Sequence, residues 1–205
     1  AACWELVGAV NRHIDESEPW KVRKEEGAAA RLGGRVALKI LRPQLAEDPE
    51  NVAYLRTLGS TLIQMEQPDS AQAVFNRILE IDGLPSGDYY QVGIGLYQAE
   101  DYVQAADAFE KAVDASVNAR DALEMWARSL IAAYPSGEDA PEPPAGALEE
   151  LVAVSERWME LDPNNRNAYL ILAQTANRLG DEDRASDLVG QIENFPVSMD
   201  NLQLQ

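Results

Sequence analysis

The sequence predicts an all-α protein: an α-solenoid of antiparallel helix pairs preceded by a helical hairpin. Three observations predict it. Segments of the chain resemble one another, the first two starting 34 residues apart at Val52 and Ser86. Each segment reads as two amphipathic helices around a short turn. Small residues fall at matching places in each pair, where two packed helices must approach closely.

The opening segment is the hairpin. Trp4, Leu6, Val7, Val10 and Ile14 have helical spacing, and Pro19 ends that helix because the residue before a proline is barred from the helical region. "GAAARLGGRVALKILRP" reads as a second helix, weakened by Gly33 and Gly34 and stopped at Pro43. Residues 1–45 therefore form one domain, a cap for the repeats that follow.

The solenoid is expected over 46–193. "VAYLRTLGSTLIQMEQPDSAQAVFNRIL" starts at Val52, "SGDYYQVGIGLYQAEDYVQAADAFEKAV" at Ser86 and "RNAYLILAQTANRLGDEDRASDLVGQIE" at Arg166. Gly59, Gly93 and Ala173 mark the crossing point on the first helix, and Ala71, Ala105 and Ala185 on the second. Phe75, Phe109 and Val189 follow four residues later, one turn on, to fill the groove between helices. A third pair lies between, with "RDALEMWARSLIAAY" from Arg120 as its first helix and "ALEELVAVSERWMELDP" as its second. "PSGEDAPEPPAG", residues 135–146, separates the two; its proline and glycine density predicts a surface loop inserted in the repeat. The tail, 194–205, has a single charge and reads as a weak polar cap. The shared core is expected from Leu58, Leu62, Phe75, Ile78, Leu96, Phe109, Val113, Leu130, Trp158, Leu172, Leu179 and Ile192.

A period of 34 with this small-and-large pattern resembles the tetratricopeptide repeat family over roughly residues 48–193. Pro163 in "LDPNN" stands where a proline often closes a repeat, and Gly83 takes that place in "EIDGLP". Stacked helix pairs make a concave groove lined by the first helix of each unit, and such grooves bind extended or helical peptides. The spacing nominates Arg56, Ser60 and Ile63 from the first unit and Tyr90, Ile94 and Tyr97 from the second. It nominates Glu124 and Arg128 from the third, and Leu170, Gln174 and Asn177 from the fourth. The tyrosines suit a partly apolar peptide. Some family members clamp a terminal carboxylate with a lysine–asparagine–arginine set. Here Arg56 is followed by Ser60, and the third unit offers Asp121 and Glu124, which argues against that clamp. The expected function is a non-catalytic protein-interaction scaffold, with a protein or peptide partner of unknown identity.

The opening hairpin resembles a second family over residues 1–43, the anticodon-binding helical domain of bacterial methionyl-tRNA synthetases. The match runs through Asn11, His13-Ile14, the acidic turn Asp15 to Glu18, Pro19-Trp20-Lys21 and Lys24. The resemblance implies an alternative function as a tRNA- or RNA-contacting fragment, using Trp20, Lys21, Lys24 and Asn11. Trp20 would stack on an unpaired base; packing over the hairpin is its other reading. The chain departs from that family at His13 and at Gly33-Gly34, and it has no nucleotide-binding catalytic signatures or zinc-binding cysteines. Aminoacylation is not expected.

Charge separates the two regions. The formal net charge is -18. Residues 1–45 hold eight basic and six acidic side chains, leaving nine basic and 29 acidic for the rest. The acidic region should repel nucleic acid and anionic membranes, so any RNA contact is confined to 1–45. No apolar run approaches the ~18 residues of a membrane span. One cysteine, Cys3, and one histidine, His13, do not make a metal-ligand set, and the acidic pairs sit on polar faces or turns. No catalytic residue, metal or cofactor is expected. A soluble protein is expected, with the cytoplasm set ahead of the periplasm.

Overall fold

The structure, a computed structural model, describes residues 34, 38–39, 41, 43–115, 120–137 and 140–193. The chain divides into two compact units between Ala115 and Ser116.

The first unit holds two helix pairs, α1 (Val52–Gln64) with α2 (Pro68–Leu79) and α3 (Ser86–Gln98) with α4 (Tyr102–Asp114). Helix starts follow the local chemistry. Asn51 caps α1 by accepting from the Tyr54 N–H at 3.2 Å, and Asp101 caps α4 by accepting from Gln104 at 3.3 Å. Pro68 sits in the first turn of α2, where its missing N–H costs nothing. The turns inside both pairs close alike: Gln67 N–H donates to Leu62 O, and Asp101 N–H donates to Leu96 O. This closure needs one left-handed residue. Glu66 (φ 59°) and Glu100 (φ 63°) take that place.

The left-handed region disfavours any residue with a Cβ by about 1 kcal/mol or more. Glu100→Gly is therefore expected to stabilise the chain by about 0.5–1 kcal/mol in urea unfolding, once glycine's greater unfolded-state freedom is subtracted. The last repeat already has Gly180 there, at φ 81°.

The crossing points are as close as the small residues imply. A Cβ on Gly59 would lie 2.5 Å from Phe75 Cζ, and one on Gly93 would lie 2.8 Å from Phe109 Cε1. Phe75 also packs against Gly95 of α3, so one ring joins α2 to the first helices of both repeats. Ahead of α1, helical residues run through Glu47 and bury Leu38, Leu41 and Leu45. The sequence sets Pro43 as a stop, but 43–47 are helical, and Asp48 N–H closes onto Gln44 O at 2.9 Å. Gly34, expected only to weaken this helix, faces Met65 so closely that a Cβ would sit 2.6 Å from Met65 Cγ.

The second unit also holds two pairs, α5 (Arg120–Ala133) with α6 (Ala147–Leu161) and α7 (Arg166–Arg178) with α8 (Glu182–Glu193). Asn165 caps α7 through Asn167 and Ala168 N–H. Asp181 N–H closes the last turn onto Ala176 O, the bond seen in the first unit. Trp126 Nε1 donates to Glu150 Oε1 at 2.9 Å, tying α5 to α6. Trp158, Leu172, Leu130 and Ile192 are buried.

Two expectations fail here. Leu179, assigned to the core, is 44% exposed. It caps α7 at the edge of an open cavity of about 520 Å³ lined mainly by the proline-rich stretch after α5. Its counterparts Met65 and Ala99 are buried. Val189, matched to Phe75 and Phe109 as a groove filler, is 47% exposed, whereas both phenylalanines are buried.

Candidate partner-binding groove

In the first unit the nominated residues lie on two touching helices, α1 and α3. Leu55, Leu58, Gly59 and Leu62 turn inward and are buried. That leaves Arg56, Ser60 and Ile63 along the next stripe of α1, spaced by four and three residues. Tyr90, Ile94 and Tyr97 occupy the same stripe of α3. Ser60 is exposed; the other five are half-buried. Half-burial fixes a side chain's position while leaving a face for a ligand.

The charges on this stripe are already paired. Arg56 Nη1 donates to Asp88 Oδ1 at 2.9 Å, bridging α1 and α3. Both side chains are about one-third exposed, so the bridge is worth under about 1 kcal/mol and serves mainly to set the helices' register. Arg56 is thus committed within the protein rather than offered to a peptide carboxylate. The tyrosines also lean on their own repeat. Tyr90 meets Phe109 edge-on at 5.5 Å between centroids, and Tyr97 meets Tyr102 at 5.2 Å. Ile63 and Ile94 are the apolar members with no such ring contact.

In the second unit Arg128 pairs with Glu124 on α5 at 2.6 Å, one turn apart. Leu170, Gln174 and Asn177 are exposed on α7 and line a cleft of about 550 Å³ together with α8. Sequence reasoning missed Ile131, 37% exposed on α5. The four-then-three spacing that selected Arg56, Ser60 and Ile63 selects Glu124, Arg128 and Ile131 in the same way. Asp88 was also missed; a salt-bridge partner 32 residues away leaves no local signal.

Asn11, Trp20, Lys21 and Lys24 lie outside the described residues. Among the described residues, no group of three or more His, Cys, Asp or Glu side chains is placed to hold a metal ion, and no helix is long and apolar enough to cross a membrane.

Residues 35–91 match the family model of the tetratricopeptide repeat. That span contains α1, α2 and the start of α3, and it begins ahead of the repeat segment that starts at Val52. Among solved structures, the crystal structure of MamA protein superposes with a TM-score of 0.58 at 18% identity, covering 92% of this chain and 97% of that one. YrrB, "a TPR protein with an unusual peptide-binding site", gives 0.56 at 14% identity over 92% and 93%. MamA from Desulfovibrio magneticus gives 0.52 at 16% identity over 87% and 97%. At these identities the likeness is one of fold.

Proposed function

We propose that this chain, a tetratricopeptide repeat protein, is a non-catalytic interaction scaffold that receives a partly apolar peptide segment along α1 and α3, the first helices of the repeats in its first unit. The supporting observation is the α1–α3 stripe: half-buried Ile63, Ile94 and Tyr97 beside a charge pair that is internally neutralised. With Arg56 bound to Asp88, the stripe offers apolar contact more than charge, so affinity should depend weakly on salt. YrrB, with the same fold, has a peptide-binding site, which is consistent with this use of the scaffold.

The experiment is selection of peptides from a random display library on the full chain, followed by titration of the best binder. Ile94→Ser and Ile63→Ser are expected to weaken it roughly tenfold each, the effect of about 1.4 kcal/mol from a lost apolar contact. These positions are cleaner than Tyr90, whose truncation would also uncover Phe109. Affinity that both variants leave unchanged would place the ligand elsewhere and overturn the reading.

A further inference from the structure

The first repeat shows how the open end of a helix pair is closed inside this chain. The surface of α1 and α2 is covered by α3: Phe75 rests on Gly95, Arg56 pairs with Asp88, and Gln72 Nε2 donates to the Ala99 carbonyl at 2.7 Å. The corresponding surface of the last pair, between α7 and α8, is the cleft of about 550 Å³. Counting along the repeat, Leu170 stands in the place of Arg56, Ser186 in that of Gln72, and Val189 in that of Phe75. The substitutions make this end more apolar and less filled. Leu170 is 36% exposed and Val189 47%.

Glu182 lines the cleft, and Asp181, Asp183 and Asp187 are exposed on α8 and the turn before it. The nearest arginines along the chain are engaged elsewhere, Arg178 with the Tyr134 carbonyl and Arg184 with Glu156. We propose that this cleft docks an amphipathic helix of a partner protein, with basic residues flanking its apolar stripe and a large apolar side chain where α3 presents Gly95. The helical form follows from the internal example. The large residue follows from volume, since Val189 fills less space than Phe75. The basic flanks follow from charge complementarity. A second copy of this chain is a poor occupant, because it would bring a net charge of -18 to a cleft whose one charged lining residue is Glu182. The proposal goes beyond the α1–α3 groove and stands or falls separately from it.

The test is titration of the full chain with a synthetic helical peptide carrying a leucine stripe flanked by lysines. Controls are the same peptide with glutamate flanks and one with the leucines changed to serine. Binding by the first peptide alone is expected, weakened roughly tenfold or more by Val189→Glu. That substitution adds negative charge, so mere electrostatic adsorption would strengthen instead. Leu170→Ser, with thermal unfolding followed for both variants, guards against a folding artefact. The proposal is overturned by absence of binding to the full chain. It is equally overturned by binding that Val189→Glu leaves unchanged or improves, or by self-association in sedimentation that Val189→Glu abolishes.

Discussion

Phe75→Ala is expected to cost about 3–5 kcal/mol in urea unfolding followed by far-UV circular dichroism. The ring is 1% exposed, and no other described side chain is so placed between two glycines. Gly59 lets α1 approach it from within the repeat, and Gly95 lets α3 approach it from the next. Truncation empties contacts with both α1 and α3 at once. Rigid helices cannot collapse onto the space one by one, so the cavity term should be near its upper range. A loss under about 1 kcal/mol would mean that the repeats are not joined through this ring.

Gly95→Ala is expected to destabilise by about 1–3 kcal/mol, against its intrinsic tendency. Alanine is the better helix former by about 1 kcal/mol, and Gly95 lies inside α3. The added Cβ, however, would collide with Phe75 Cζ, and the same end of that ring also packs against Gly59. The sign should therefore reverse in a Phe75→Ala background. There the methyl enters vacated space and the helix-propensity gain is left, making Gly95→Ala stabilising. A double-mutant cycle reads this as a coupling above about 1 kcal/mol. Simple additivity would contradict the packing described for this interface.

The same glycines explain what was legible in the sequence. Crossing points need small residues and their partners need large ones, so Gly59 with Phe75 and Gly93 with Phe109 announce the packing at a fixed period. Leu58, Leu62, Leu96 and Leu172 were likewise readable, because helical spacing alone sends them inward. Exposure at the last pair was not readable. Val189 has the sequence position of a core residue, but burial depends on whether a further helix lies over it, which no local pattern records. Leu179 was misassigned for a related reason: its environment is set by the stretch after α5, thirty or more residues away. Helix at 43–47, beyond the proline read as a stop, accompanies the burial of Leu45, a tertiary feature that no local breaker signal records. At the candidate groove, the stripe positions were readable from spacing. The commitment of Arg56 to Asp88 and of Tyr90 to Phe109 required the tertiary structure. The resemblance of residues 1–43 to a synthetase hairpin rests on Asn11, Trp20, Lys21 and Lys24, all outside the described residues.

The proposed function places a peptide-receiving stripe on the first helices α1 and α3. Backbone amide chemical shifts of the isotope-labelled full chain, recorded while a display-selected peptide is added, test it most directly. Perturbations are expected to concentrate on the α1 and α3 stripe around Ser60, Ile63, Ile94 and Tyr97, with the outward faces of α2 and α4 unchanged. Saturable binding whose perturbations fall on α2 and α4, leaving the α1–α3 stripe silent, would contradict it.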